Sequence, residues 1–166
     1  MKLFREYEFH VLEAQPEDYP VLENIHAQSF DRAWSIDELT STLAVKGTQC
    51  FVANIRGKSG KGAKGFVILR TLAGQSEILT IATDPAYRKR GIARLLLEYA
   101  IRRLQAERVG QLFLEVAEDN GAALRLYQSL KFKRIATRKA YYRNRGRCES
   151  EGAEKVNALV MQLELR

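Results

Sequence analysis

A mixed α/β (α+β) fold is predicted for this chain: a central sheet of about seven strands, mostly antiparallel with a parallel pair at its centre, flanked by about four helices. Three observations predict it. The 166 residues, 46% of them apolar, suit one compact domain, residues 1–166, built around a single core. Two strand-like runs, Gln49 to Ile55 and Lys64 to Leu72, flank a stretch rich in glycine and charge, Arg56 to Ala63, which suits an antiparallel hairpin. From Glu77 onward the pattern changes to strand, helix, strand, helix, strand, and a β-α-β crossover makes its flanking strands parallel.

The elements follow in order. Tyr7, Phe9 and Val11 alternate with Glu8, His10 and Leu12 in a first strand. Pro16-Glu17-Asp18 suits a helix N-terminus, and that helix is expected to run to Ser29. Ser35 and Glu38 fit a capping box, each side chain satisfying a free backbone N–H, so a short second helix follows Trp34 and ends at Gly47. After the hairpin and Gly74 comes a strand over Glu77 to Thr83. Ile92, Leu95, Leu96, Tyr99, Ala100 and Leu104 recur at helical spacing, with Glu98 and Arg102 as an i, i+4 pair on the outer face. Gln111 to Val116 reads as a strand, Gly121 to Leu130 as a helix, Phe132 to Arg138 as a strand, and Val156 to Glu164 as the last strand beyond a charged loop. The parallel centre is expected where Glu77 to Thr83 meets Gln111 to Val116.

Composition narrows the function classes. The first eight residues are too charged for a signal-peptide apolar stretch, and no run approaches the length that crosses a bilayer. A soluble, cytoplasmic protein without a membrane partner is expected. Cys50 and Cys148 have no metal-ligand spacing and make no disulfide framework. The net charge of +7 collects in Arg56 to Lys64, Arg88 to Arg94, Lys131 to Arg134 and Arg138 to Arg147, against an acidic segment with Glu149, Glu151 and Glu154. Such clusters suit RNA, a phosphorylated cofactor or solubility alike. Gly57-Lys58-Ser59 resembles the end of a Walker A loop but has Val52 where the upstream glycine belongs, and no GxGxxG fingerprint occurs.

The helix that begins after Gly91 opens on Arg88-Lys89-Arg90-Gly91-Ile92-Ala93-Arg94. A helix N-terminus presents unpaired N–H groups and a partial positive charge, and a tight turn before it forms an anion-binding nest. Phosphate is the natural guest: Gly91 keeps a β-carbon out of the way, Ala93 keeps the first turn small, and the four cations add charge. An ordinary strand-to-helix turn with solvated cations is the plainer alternative.

Arg88 to Ala93 resembles the R/Q-x-x-G-x-G/A signature of the GNAT superfamily of acetyl-CoA-dependent N-acetyltransferases. Ile78 to Pro85 looks like the strand before that signature, Leu114-Glu115-Val116 with Asn120 like the next strand, and Leu126-Tyr127 with Leu130-Lys131-Phe132 like the following helix and turn. This order, with Phe30 to Ser35 and Arg138 to Tyr142, resembles the RimI-type branch, the ribosomal-protein N-terminal alanine acetyltransferases. Ala33, Lys131 and Asn157 depart from the branch, which has proline, glycine and Asp-Ala at these places.

The resemblance implies a GNAT fold, acetyl-CoA as cosubstrate without a metal, and a protein N-terminus, ribosomal proteins among the candidates, as acceptor. It implies that the coenzyme pyrophosphate sits on the backbone from Lys89 to Arg94, with Arg88 beside it. The pantetheine arm would pair along Ile81, Ala82 and Thr83, where an N–H can stabilise the oxyanion. Glu115 would deprotonate the acceptor amine, directly or through water, and Tyr127 would protonate the departing thiolate. Asn120 fits two roles, capping the helix at Gly121 and bonding the coenzyme. Trp34, Tyr141 and Tyr142 resemble walls of the peptide site. His10 and His26 match no catalytic position and read as structural.

The nearest alternative keeps the cofactor and changes the acceptor to a lysine side chain, a polyamine or a small amine. Two others are a basic RNA- or ribosome-associated module without catalysis and a coenzyme A-binding fold that transfers nothing. No recognised RNA motif is present, so direct nucleic-acid binding is not expected. A monomer or weak dimer is the expected state.

Overall fold

The computed structural model describes residues 8–56, 62–143 and 155–165. Tyr7, the centre of the Arg56 to Ala63 tip, Cys148 and the acidic Glu149, Glu151 and Glu154 lie outside the described residues. The described elements run β1 (Phe9–Glu13), α1 (Tyr19–Ala27), α2 (Ile36–Leu43), β2 (Thr48–Ile55), β3 (Gly65–Leu72), β4 (Gln75–Thr83), α3 (Ile92–Ala106), β5 (Gln111–Ala117), α4 (Gly121–Ser129), β6 (Lys133–Arg143) and β7 (Lys155–Glu164). The seven strands are hydrogen-bonded in the order β1-β2-β3-β4-β5-β7-β6. β4 and β5 are parallel, registering Gln75 to Glu77 against Gln111 to Phe113. The mixed sheet and four α-helices are those expected from sequence. No helix among the described residues is long and apolar enough to cross a membrane.

By internal contacts the chain divides into two compact units, residues 1–70 with 79–103 and residues 71–78 with 104–166. In the first, β2 alternates. Cys50 and Val52 join Phe66, Ile68 and Ala82 in a core closed by Leu22 and Ile25 of α1 and Leu39 of α2. Burying a large apolar side chain of this kind contributes about 1.5–3 kcal/mol. Burial pushes the Cys50 thiol up to about 12, so it stays a protonated core residue. Phe51, on the opposite face of β2, meets Tyr99 of α3 edge-on at 5.0 Å between ring centroids. Gly65 of β3 sits so close to α3 that a β-carbon there would lie 2.7 Å from Ile92 Cγ2 and 3.0 Å from the Ala82 carbonyl oxygen.

Local chemistry explains the boundaries. Ser35 Oγ accepts the Glu38 N–H at 3.2 Å and Glu38 Oε2 accepts the Ser35 N–H at 3.0 Å, the reciprocal box that starts α2. Pro16 to Asp18 forms one 3-10 turn before α1 starts at Tyr19, so the predicted helix opens later than Pro16. On α3, Glu98 pairs with Arg94 at 3.6 Å, one turn before it, where the expected partner Arg102 is one turn after it.

In the second unit, Leu112, Leu114 and Val116 form the buried face of β5, and β7 is antiparallel to both β5 and β6. β6 runs to Arg143, five residues beyond its predicted end, with register shifts between Arg134 and Ala136 and between Arg138 and Tyr142. At the end of α4 the Lys131 N–H donates to the Gln128 carbonyl and the Phe132 N–H to the Tyr127 carbonyl, both at 3.0 Å. That Schellman pattern places Lys131 in the left-handed region at φ +72°. Tyr127 and Phe132, the apolar pair that accompanies the motif, meet edge-on at 5.7 Å.

Candidate active site

The segment between β4 and α3 is shaped by its own side chains. Asp84 Oδ1 accepts the Ala86 N–H at 2.9 Å and starts a 3-10 turn over Pro85 to Tyr87, a feature the sequence reading passed over. The chain is extended at Arg88, then φ is positive at Lys89 (+60°) and at Gly91 (+79°) and not at Arg90 between them. Such alternation aims successive N–H groups into one concavity, the backbone form of an anion nest. The first helical bond of α3 runs from the Leu95 N–H to the Gly91 carbonyl at 3.0 Å. The N–H groups of Ile92, Ala93 and Arg94 therefore lie ahead of the hydrogen-bond ladder, with the positive end of the helix dipole behind them.

A β-carbon on Gly91 would meet nothing within 4 Å. No protein neighbour therefore requires the glycine; its left-handed φ favours it, and the clearance expected from sequence concerns the approach of the anion. The cations are spoken for in part by neighbours. The Arg90 guanidinium carbon lies 5.6 Å from the Tyr87 ring centroid and Lys64 Nζ 4.9 Å from it. Arg88 Nη2 reaches Ser29 Oγ at 3.5 Å. A recess of 290 Å³ opens beside the turn, lined by Phe9, Arg90, Gly91, Arg94, Leu95 and Glu98. A diphosphate fits this donor set: alternating left-handed residues, helix-end N–H groups and fixed cations offer hydrogen bonds and charge to its oxygens. Ile81, Ala82 and Thr83 occupy the last three positions of β4, with the Asp84 N–H just beyond them bonded to the Lys64 carbonyl at 2.9 Å.

On β5, Glu115 is opposite Val160 of β7, and Val160 is in turn opposite Ala136 of β6; Ala117, Ala158 and Arg138 line up likewise. Glu115 and Arg138 therefore share one face on a diagonal, two strand spacings across and two residues along, about 12 Å apart, with the small Ala158 on the strand between. Arg138 spans that strand, and its Nε reaches Glu115 Oε1 at 3.2 Å. The Glu115 side chain is 20% exposed, so it is neither a core residue nor a freely solvated one. From sequence Arg138 is the end of a strand, part of a basic cluster and part of the branch-like stretch to Tyr142, with no partner assigned. Its pairing depends on the register of three strands, for which no local pattern exists.

Tyr127 of α4 is buried, 6% exposed. Asn120 Oδ1 accepts the Ala123 N–H at 3.2 Å, which makes it the N-cap of α4. Asn157 Nδ2 donates to Glu118 Oε2 at 2.9 Å while its carbonyl accepts the Glu118 N–H at 3.0 Å. That departure from the family pattern thus ties the end of β5 to β7. Tyr141 and Tyr142 fall within β6, Tyr142 opposite Val156, and their side chains lie outside the described residues. Trp34 is half-buried and stacked on His26 at 5.1 Å between centroids. Among the described residues no cluster of three or more His, Cys, Asp or Glu could hold a metal ion.

Residues 10–132 match the acetyltransferase (GNAT) family. A [ribosomal protein bS18]-alanine N-acetyltransferase of Haemophilus ducreyi is 30% identical over 151 residues, covering 87% of this chain and all of that protein. The N-alpha-acetyltransferase RimI of Mycobacterium tuberculosis is 47% identical over 77 residues, 46% of this chain and 47% of its own. The crystal structure of the ribosomal-protein-S18-alanine N-acetyltransferase from Escherichia coli superposes with a TM-score of 0.82 at 26% identity, covering 95% of this chain and 94% of that one. On the family match and the full-length relative together, the chain belongs to the acetyltransferase (GNAT) family.

Proposed function

We propose that this chain transfers the acetyl group of acetyl-CoA to the N-terminal α-amine of a protein, a ribosomal protein of the bS18 kind, by direct attack within a ternary complex. The observation that carries the reading is the match over the whole length of the Haemophilus ducreyi bS18-alanine N-acetyltransferase. The turn before α3, with its alternating φ signs and helix-end N–H groups ahead of the first helical bond, supports it independently of that match.

Acetyl-CoA supplies the activated acetyl group as a thioester. The backbone from Lys89 to Arg94 holds its diphosphate, and the N–H groups of Ile81 to Thr83 bind the extended arm and the thioester oxygen. An N-terminal amine has a pKa of about 8 and is mostly protonated at neutral pH, so it needs a base before it can attack. Glu115 is that base, taking the proton directly or through water, and Arg138 holds its carboxylate by Oε1. As the amine nitrogen bonds to the acetyl carbon and the carbon–sulfur bond breaks, Tyr127 gives its phenolic proton to the sulfur, and the second proton that the nitrogen sheds in becoming an amide restores the phenol through solvent. Asn120 caps α4 and bonds the coenzyme. Trp34, Tyr141 and Tyr142 line the acceptor peptide. The whole chain acts as a single catalytic domain in the cytoplasm, as a monomer or weak dimer, without contacting nucleic acid.

The test combines binding and product. Acetyl-CoA at about 100 times its Kd should stabilise the fold by about 2.7 kcal/mol, seen as a raised Tm. A peptide that begins with alanine and contains an internal lysine should gain one acetyl group, located by mass spectrometry on the N-terminus. Acetylation of the lysine alone would move the acceptor to a side-chain amine, and no Tm shift would remove coenzyme binding from the reading.

A further inference from the structure

His26, near the end of α1, is 3% exposed. Its Nδ1 accepts the backbone N–H of Trp34 at 3.1 Å. Its ring stacks on the Trp34 indole, 5.1 Å between centroids at 20°, and packs against Phe30 at 4.3 Å and Phe66 at 6.5 Å. One imidazole thus holds both the backbone and the ring of Trp34, eight residues on, and with Phe30 it organises the segment that joins α1 to α2. An accepting Nδ1 carries no proton, so the ring is neutral.

The charged groups on the elements packed against it are Glu23 on α1, whose Oε1 accepts the Ile36 N–H at 3.1 Å, Asp31 and Arg32 in the segment, and Asp37 and Glu38 on α2, with Arg32 and Glu38 paired at 2.6 Å. β3 contributes the uncharged Phe66 ring. Burial lowers the imidazole pKa from its ordinary value, and Glu38 opposes that effect only in part.

We propose that neutral His26 is the positioning residue of the acceptor-binding segment Phe30 to Ser35, and that its protonation releases Trp34 and weakens acceptor binding while leaving acetyl-CoA binding intact. This rests on the reading of Trp34 as a wall of the acceptor site. When Nδ1 gains a proton it becomes a donor facing the Trp34 N–H donor, and the bond is lost. Because the folded imidazole titrates below its ordinary range, the contact is complete above about pH 6.5 and fails as pH falls further.

Trp34 is the single tryptophan of the 166 residues, so its fluorescence reads the contact without any activity. Imidazolium quenches indole; the native protein should show one fluorescence step below about pH 6.5, absent from His26→Asn and His26→Phe. His26→Phe keeps a ring for stacking and loses the acceptor, so at about pH 7.5 the KM for an alanine-initiated peptide should rise about fivefold, with kcat and the acetyl-CoA KM within about twofold. His26→Asn can present Oδ1 near the place of Nδ1, and should keep the native peptide KM at that pH without the acid rise that the native enzyme shows towards about pH 5.5.

No fluorescence step in the native protein, or the same step in His26→Asn, overturns the proposal. A normal step with a flat peptide KM overturns it too, and locates the fault in the assignment of Trp34 to the acceptor site. Equal damage to kcat and both KM values in His26→Phe would make the role merely structural. If that variant fails to fold, native fluorescence and His26→Asn decide. Absence of N-terminal acetylation in every form would instead be the failure of the proposed reaction itself.

Discussion

The turn that opens α3 and the Glu115–Arg138 pair on β5 and β6 belong to different compact units and use different means. In the turn, geometry comes from main chain: two left-handed residues, Lys89 and Gly91, and N–H groups ahead of the helical ladder. On the sheet, it comes from side chains, a carboxylate held at 3.2 Å by an arginine that crosses an intervening strand. A backbone site survives loss of its charges but not of its dihedral angles. A side-chain site is abolished by exchange of a single atom.

Substitutions can sharpen or break this contrast. The largest effect is expected from Glu115→Gln, which keeps shape and removes the proposed base; kcat for an alanine-initiated peptide should fall about a hundredfold or more in steady-state assays. Tyr127→Phe should cost less, about thirtyfold in kcat, because a thiolate with a pKa near 8.5 can also take its proton from water. Native kcat in both would remove the side-chain site from the chemistry.

Gly91→Val comes next. It forces a β-branched residue into φ +79° at a cost of about 1–2 kcal/mol, so the acetyl-CoA Kd from calorimetry should weaken about tenfold. Lys89→Gly removes a charge but relaxes the other left-handed residue, and should change that Kd by less than about threefold. If Lys89→Gly proves the more damaging, charge and not backbone grips the diphosphate.

The smallest effect tests strain outside the chemistry. Lys131 sits at φ +72°, which costs an L-residue about 1–2 kcal/mol, while glycine gives up about 0.4–1 kcal/mol through the freer unfolded chain. Lys131→Gly should therefore gain about 0.5–1 kcal/mol, read as a higher urea midpoint at constant m-value.

What could be read from sequence is what short-range chemistry determines. The Ser35–Glu38 box, the N-cap at Asn120 and the order of helices and strands follow from neighbours within a few residues, and they stand as expected. The signature turn was legible as a place, with clearance for an anion over Gly91 as one reason; the left-handed φ at Lys89 and Gly91 was not legible. The Glu115–Arg138 pair depends on two strand registers at once. The extension of β6 to Arg143 follows from pairing with β7, since Arg138 to Arg143 reads as a charged loop when considered alone. His26 shows the same limit, for its spacing to Trp34 matches neither a helix nor a strand.

Gly65 illustrates how a residue without chemistry can govern a reactive site. One hydrogen in place of a methyl lets β3 lie against both the Ala82 carbonyl and Ile92, the end of one segment proposed to face the coenzyme and the start of the other. Trimming Ile92 would relieve only half of the conflict, because the carbonyl is main chain. In a survey of tolerated substitutions this position would be as restrictive as a reacting group, and a purely chemical interpretation would credit it with a role it does not have.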